Sequence, residues 1–456
     1  MRSMTTSLNR DRLKSLFDAE TADYIAKHPG SQKAHESSQA SLLNGVPMLW
    51  MAKWPGPFPV YVESAKGAHF QDVDGNDFTD FCLGDTGAMS GHAPEPTVKA
   101  VQEQIARGAT FMLPTLDAAK NGQLLAERFG LPKWQFTLSA TDANRHLIRF
   151  AREVTGKPKI AVHDYCYHGS VDETFAVLDS DGKTVSRPNN IGKPTELNNT
   201  TVSLAFNDLA AAEAAFKTGE VALMLMEPAL TNIGIVLPEP GYLAGIQELC
   251  RKYSVIFALD ETHTLSAGPG GMTARDGLEP DAVVLGKTIG GGVPVGALGL
   301  SEELARSIAD SLELESIDVG GVGGTLAGNA LSMAAVRATL EQVLTPENFS
   351  NMESLATKWE HAIREVIAEY ELPWQVSRIG CRGEYSFRQT APENGAQAHQ
   401  AEDFDLGQFL QLHAINRGIL MTPFHNMILI SPETTEQDIQ RHLNHFKDAV
   451  SALFSK

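Results

Sequence analysis

The stretch 254-SVIFALDETHTLSAGPGGMTARDGLEPDAVVLGKTIGGGVPVGALGL-300 decides the fold. It holds two short, unbroken apolar runs, and each ends on charge. Val255 to Leu259 runs into Asp260 and Glu261; Ala282 to Leu285 runs into Gly286 and Lys287. Apolar runs of this length, bounded by Gly, Pro and charge, are what parallel strands covered on both faces look like. In open α/β sheets, ligands sit in the crevice outside the carboxyl ends of such strands. An acid and a lysine delivered there suggest chemistry.

The pattern repeats upstream. Lys159 to His163 ends in Asp164-Tyr-Cys-Tyr167-His168, and Val221 to Met226 ends on Glu227-Pro228. Gln135 to Leu138 ends in Ser139-Ala140-Thr141, ahead of a helical stretch from His146 to Val154. Small hydroxyl residues at a strand-to-helix turn leave free backbone N–H groups at a positive helix end, which suits a phosphate. A plain N-cap by Ser or Thr uses the same residues. The alternation of strand and helix implies an α/β fold with a doubly wound, mostly parallel sheet.

Three segments are expected. Residues 1–75 form an N-terminal segment: a helix over 7–28, an aromatic loop Leu49-Trp50-Met51-Ala-Lys53-Trp54, and a small hairpin. In the run Asp72-x-Asp74-Gly75-Asn76 the glycine falls fourth rather than sixth, so a hairpin turn is expected and not a calcium loop. Residues 76–335 form the large domain, with residues 178–200 as a long excursion. Residues 336–456 form a smaller α+β domain with strand-like 383–387 and 427–430 and a closing helix over 436–454.

Composition excludes several function classes. With 37 Lys and Arg against 56 Asp and Glu, the net charge is −19, which repels nucleic acid. No apolar run approaches the ~20 residues of a membrane-spanning helix, and the N-terminus lacks the apolar core of a signal peptide. Cys82, Cys166, Cys250 and Cys381 are scattered and form no CxxC pair, so neither a metal site nor a disulfide framework is expected. The compartment implied is the reducing cytoplasm.

What chemistry fits the strand ends? Gly286-Lys287-Thr288 ends like a phosphate-binding P-loop, but position 281 is Asp where that motif needs Gly. A lone strand-end lysine is more often solvated or ion-paired than catalytic. Here an acid ends the preceding strand and a phosphate turn lies upstream. A lysine that forms a Schiff base with pyridoxal 5′-phosphate, with an Asp on the pyridinium nitrogen, uses this set.

Eight motifs in order make the resemblance specific: Phe70-Gln-Asp-Val-Asp-Gly-Asn, Gly91-His-Ala, Ser139-Ala-Thr-Asp-Ala, Tyr167-His-Gly, Glu227-Pro-x-x-x-Asn232, Asp260-Glu-Thr-His263, Leu285-Gly-Lys-x-Ile-Gly-Gly-Gly and Gly324-Thr-Leu-Ala-Gly-Asn. The chain resembles the class III (omega) aminotransferases and glutamate-1-semialdehyde aminomutases, pyridoxal-phosphate enzymes of fold type I. The resemblance implies roles. Lys287 would carry the cofactor and shuttle the substrate proton, and Asp260 would hold the pyridine nitrogen protonated. Ser139, Ala140 and Thr141 would meet the phosphate, and Tyr167, with His168 beside it, would stack on the ring. Thr262 would pack on the other face, Asn232 would sit near the ring hydroxyl, and Glu227 would support it. Thr325 would reach the neighbouring subunit's phosphate, which implies a homodimer. Departures from the family pattern are Ala140 for Gly, Asp142 for Glu and Thr262 for Val.

The same resemblance leaves the substrate open. Relatives acting on amino acids often hold the carboxylate with an arginine in the pocket loop or the C-terminal domain. Residues 44–54 contain none, and neither does Gly418-Ile-Leu-Met-Thr-Pro-Phe-His425. Trp50, Met51 and Trp54 would favour an apolar group, with His425 as a polar partner. The expected reaction is therefore transfer from an amine or hydrophobic β-/ω-amino acid to a keto acid such as pyruvate. The alternative is a 2,1-aminomutase of the glutamate-1-semialdehyde type, which needs no external acceptor.

Overall fold

Seven strands build the sheet that carries the opening stretch. Their spatial order is Lys133–Thr137, Gly296–Leu300, Ala282–Leu285, Ile256–Asp260, Val221–Met226, Lys159–His163 and Thr201–Leu204. The computed structural model describes residues 8–312, 318–423 and 425–454. Residues 1–7, where the first helix was expected to begin, and Phe424 of the C-terminal loop lie outside them.

The five strands from Ala282–Leu285 to Thr201–Leu204 pair in parallel. Gly296–Leu300 pairs antiparallel with both its neighbours, so Lys133–Thr137 points the same way as the other five. The apolar runs behave as their composition demands. Val221–Met226, Ile256–Asp260 and Ala282–Leu285 are buried at every residue, and each Leu or Val so covered contributes about 1.5–3 kcal/mol. Gly296–Leu300 was not expected as a strand, because two of its five residues are glycine. The structure shows why they are there: a Cβ on Gly299 would lie 2.6 Å from the Trp134 ring, and one on Gly296 would lie 2.4 Å from the Ser139 carbonyl.

The helix after Lys133–Thr137 is Ala140–Thr155, which starts six residues before the expected His146. Ser139 caps it, accepting the Asp142 N–H, and Gly156 ends it at φ 65°. Leu147, Ile148 and Ala151 face the core. The excursion at 178–200 includes a short hairpin strand, Thr184–Ser186, paired with Ala176–Leu178.

Two compact units result, one of residues 94–349 with 392–400, the other of residues 1–93, 350–391 and 401–456. The N-terminal segment thus shares a unit with most of the C-terminal part, where separate segments 1–75 and 336–456 were expected. Its strands are Val62–Lys66, His69–Asp72, Asp77–Asp80 and Ile419–Leu420 in one sheet, and Gln375–Ile379, Arg382–Ser386 and Met427–Leu429 in another. The 72–76 run closes a hairpin: the Asp72 carboxylate accepts the N–H groups of Asp74 and Asn76 at 2.9 and 2.8 Å. Tyr24, Phe70, Phe78, Leu412 and Ile415 pack into one cluster, with the Phe70 and Phe78 rings stacked at 4.5 Å.

This unit also buries three histidines on its last helices. His413 Nδ1 lies 2.9 Å from His445 Nδ1, and Trp359 Nε1 donates to His442 Nδ1 at 3.2 Å. Burial pushes His413 down to about 4 and His442 to about 3, and drives His445 well below the usual range. An unfolded histidine takes up its proton near 6.5, so the stability these groups contribute is full above that pH. It is lost as pH falls through 6.5 towards the folded values. Each depressed histidine is worth about 2 kcal/mol between pH 6.5 and 5, less where two share a hydrogen bond. Urea unfolding at pH 5 should therefore show about 4 kcal/mol less stability than at pH 7. His442→Gln, which keeps an acceptor for Trp359, should remove about 2 kcal/mol of that dependence. An unfolding midpoint equal at the two pH values would contradict the assignment.

Candidate active site

Parallel strands deliver their ends to one edge. Tyr167 and His168 follow Lys159–His163, Glu227 follows Val221–Met226, Asp260 is the last residue of its strand, and Lys287 lies two residues past Leu285. These four strands are consecutive in the sheet. Ser139 leaves the sheet at the same edge, two residues past Thr137.

Asp260 is buried and fully engaged. Its Oδ2 accepts from His168 Nδ1 and Asn144 Nδ2, both at 2.9 Å, and its Oδ1 accepts the Thr262 N–H at 3.1 Å. Burial alone would raise its pKa, but the His168 ring and the other donors outweigh it and hold the carboxyl below its ordinary range. His168 shows the converse. Burial would discharge it, yet Cys166 and the Asp260 carboxylate raise it well above its usual value. The pair is steadied by Asn144, whose amide also donates to the His168 carbonyl at 3.1 Å. Asn144 did not stand out in the sequence. It lies on the buried face of the Ala140–Thr155 helix, where helical spacing predicts only packing.

Lys287 sits at φ 52°, a left-handed conformation unusual for a side chain with Cβ, and opens a one-turn 3₁₀ helix, Lys287–Gly290. Its Nζ lies 2.5 Å from His263 Nε2. His263 Nδ1 is 3.0 Å from Thr231 Oγ1, and that hydroxyl donates to Glu227 Oε2 at 2.5 Å. Glu227 also accepts the N–H groups of Tyr167 and Thr231, each at 3.1 Å. Of this chain, Glu227 and Lys287 were expected at the site. Thr231 and His263 were not, because 32 and 24 residues separate the partners and no local pattern ties them.

The strand-to-helix turn at Ser139 to Thr141 is packed by two further segments. Gly169 adopts φ +77°, and a Cβ there would fall 2.0 Å from Thr141 Oγ1; a Cβ on Gly286 would fall 2.9 Å from that of Ala140. The backbone before Lys287 and the backbone after His168 therefore both press on the start of the Ala140–Thr155 helix. Its first N–H groups, on Ala140 and Thr141, have no intrahelical acceptor. The Ser139 hydroxyl caps the helix, 3.3 Å from the Asp142 N–H.

Thr262 has a buried hydroxyl without a protein partner. Tyr167 is half exposed, with its ring edge-on to Phe175 at 6.4 Å. Asn232 Nδ2 reaches the Tyr165 carbonyl at 3.4 Å. Thr325 is exposed on the loop before helix Ala330–Gln342. Trp50, Met51, Trp54 and His425 belong to the other unit. There Met51 and Trp54 line an apolar cavity of about 330 Å³ with Tyr24, Leu42, Val46 and Phe70. His425 is buried against Glu384 at 3.3 Å; burial opposes its charge, but Glu384 outweighs that and raises its pKa.

An ionised aspartate for a ring nitrogen, an amine, an orphaned buried hydroxyl and a helix N-terminus for a phosphate make up a donor set that fits pyridoxal 5′-phosphate. The chain is an enzyme that depends on this cofactor, with the fold of type I. The family model of class III aminotransferases matches residues 50–450, and the chain belongs to that family. A glutamate-1-semialdehyde 2,1-aminomutase of Anaeromyxobacter sp. (strain Fw109-5) is 32% identical over 406 residues, covering 88% of this chain and 92% of that protein. A lysine-to-alanine variant of a glutamate-1-semialdehyde aminomutase from Pseudomonas aeruginosa PAO1, solved with PMP, is 43% identical. It covers 98% of this chain and 99% of its own, at a TM-score of 0.96. An omega-transaminase from Sphaerobacter thermophilus is 28% identical, covering 94% and 99%, at a TM-score of 0.85.

Proposed function

We propose that this chain is a 2,1-aminomutase of the glutamate-1-semialdehyde type, moving an amino group between neighbouring carbons of one small amino acid. The observation that carries this is the name borne by relatives matched over nearly the whole chain, at 32% identity in sequence and 43% in structure. Transfer from an amine or hydrophobic β-/ω-amino acid to pyruvate is the second reading. The omega-transaminase neighbour favours it.

When bound, pyridoxal phosphate accepts the substrate's amino group and takes into its ring the electron pair freed at the substrate carbon. The residues then divide the work. Lys287 anchors the cofactor, takes the proton from the amine-bearing carbon and returns it. Asp260, kept ionised by His168 and Asn144, holds a proton on the ring nitrogen. Ala140 and Thr141 bind the phosphate at the helix start, while Tyr167 and Thr262 hold the two ring faces. Asn232 lies by the ring hydroxyl with Glu227 behind it. Thr325 serves the phosphate of a second copy, so the working unit is a homodimer. All four cysteines are unpaired and buried, which suits the cytoplasm.

The test is turnover of glutamate-1-semialdehyde by the purified holoenzyme with no keto acid present. We expect conversion to 5-aminolevulinate that added pyruvate does not accelerate. Turnover only when an amine and a keto acid are supplied together would overturn the aminomutase reading in favour of the second.

A further inference from the structure

We propose that His263 is a second catalytic base of this site, exchanging a proton with the Lys287 amine, and that Thr231 and Glu227 hold it in the tautomer this requires. The inference rests on Lys287 being the cofactor lysine, and on distances within one unit of the fold.

The hydrogens can be traced from the far end of the chain. Both Glu227 oxygens already accept backbone N–H groups, from Tyr167 on Oε1 and from Thr231 on Oε2. The Thr231 hydroxyl lies 2.5 Å from the same Oε2 and spends its one hydrogen there. Towards His263, Thr231 Oγ1 can then only accept, so the hydrogen of the 3.0 Å contact sits on His263 Nδ1. A neutral imidazole with hydrogen on Nδ1 has a bare lone pair on Nε2. That lone pair faces Lys287 Nζ at 2.5 Å. In the opposite tautomer, Nδ1 and Thr231 would face each other lone pair to lone pair.

The step balances within the pair. The Lys287 ammonium gives one proton to His263 Nε2, leaving a neutral amine and an imidazolium with hydrogen on both nitrogens. No other reactant is needed, and the reverse step restores both groups. A neutral amine is the form of Lys287 that can act as nucleophile or base. Two carboxylates near this edge are engaged elsewhere. Asp260 is bound by His168 and Asn144. Glu261 is buried among the Thr264 and Thr273 hydroxyls and the N–H groups of Met272 and Thr273. Tyr167 lies against Phe175.

Three variants of the full-length protein test this: His263→Ala, His263→Gln and Thr231→Val. Glutamine can still accept from Lys287 and donate to Thr231, but it is not a base. We expect His263→Ala and His263→Gln each to lower kcat about 100-fold, with KM within about threefold. Thr231→Val should lower kcat about tenfold through loss of the tautomer. A second readout does not use turnover. The rate at which the apo-protein captures added PLP covalently, followed by absorbance, should fall about tenfold in both His263 variants. Affinity for PMP, which has no aldehyde for the lysine, should stay within about twofold and reports that the site is folded. Full activity in His263→Gln would reduce His263 to a positioning residue, and capture rates equal to wild type would exclude proton exchange; either result overturns the proposal. If His263→Ala loses PMP binding, Thr231→Val decides alone. Failure of the wild type to capture PLP would instead overturn the cofactor assignment beneath it.

Discussion

Lys287→Ala should abolish turnover, with a fall in kcat of at least about ten-thousand-fold, while PMP still binds. Among the described residues, the amine is the only group at the sheet edge placed to be both the anchor and the proton carrier, so no neighbour there inherits both roles. His263 is a base in reach of the same space, yet it cannot form the covalent link. The loss should be chemical and not structural. Lys287 is only partly buried, and the turn it opens is fixed by Gly286 against Ala140 and by the hydrogen bond from Gly291 N–H to the Thr288 carbonyl. Alanine at φ 52° carries the same left-handed penalty as lysine, so the change adds no backbone strain. We expect a thermal midpoint within about 4 °C of wild type, the span of ~1 kcal/mol or less. The covalent absorbance band should vanish and should not return on adding PLP. Residual turnover above about one hundredth of wild type would show that another residue moves the proton.

Much of this site was legible because charge at the end of an apolar run is costly to bury and has to be explained. Glu227, Asp260 and Lys287 all announce themselves that way, and the sheet order then places them on adjacent strands. The fold class followed from the same runs. What stayed hidden depends on distance in space alone. Asn144 occupies an ordinary helical core position, and only the neighbouring strand shows that its amide meets Asp260. Thr231 and His263 are short polar residues in loops, whose partners are set by the register of Val221–Met226 on Ile256–Asp260. The Gly296–Leu300 strand was illegible because glycine lowers strand propensity, and its purpose is to let Trp134 and the Ser139 carbonyl approach. The grouping of residues 1–93 with 350–391 and 401–456 has no local signature at all. It is written in contacts such as Lys27 Nζ to the Asn416 carbonyl at 2.8 Å, 389 residues apart.

Asp260→Asn should cost about 1,000-fold in kcat at saturating cofactor and should steepen the loss of the apo-protein's stability as pH falls. The first effect follows from charge. A carboxylate held ionised below its usual range can keep a proton on the pyridine nitrogen; an amide of the same shape cannot. The second follows from His168. In the wild type its pKa is raised, because Asp260 and Cys166 outweigh its burial. A raised histidine contributes stability that is complete below its unfolded value near 6.5 and is lost as pH rises through the folded value. Removing the carboxylate leaves burial in command, which pushes the same imidazole below 6.5. Its contribution then changes sign, and stability is lost as pH falls through 6.5. The gap between variant and wild type should therefore narrow as pH rises, because the wild type's contribution from His168 falls while the variant's does not. At pH 6, where the wild type has a buried pair and the variant has lost one partner, it should be weaker by about 3 kcal/mol. Urea unfolding of the two apo-proteins at both pH values measures this directly. A destabilisation equal at pH 6 and pH 8 would mean that His168 is neutral in the wild type and that Asn144 and the Thr262 N–H alone hold Asp260 ionised.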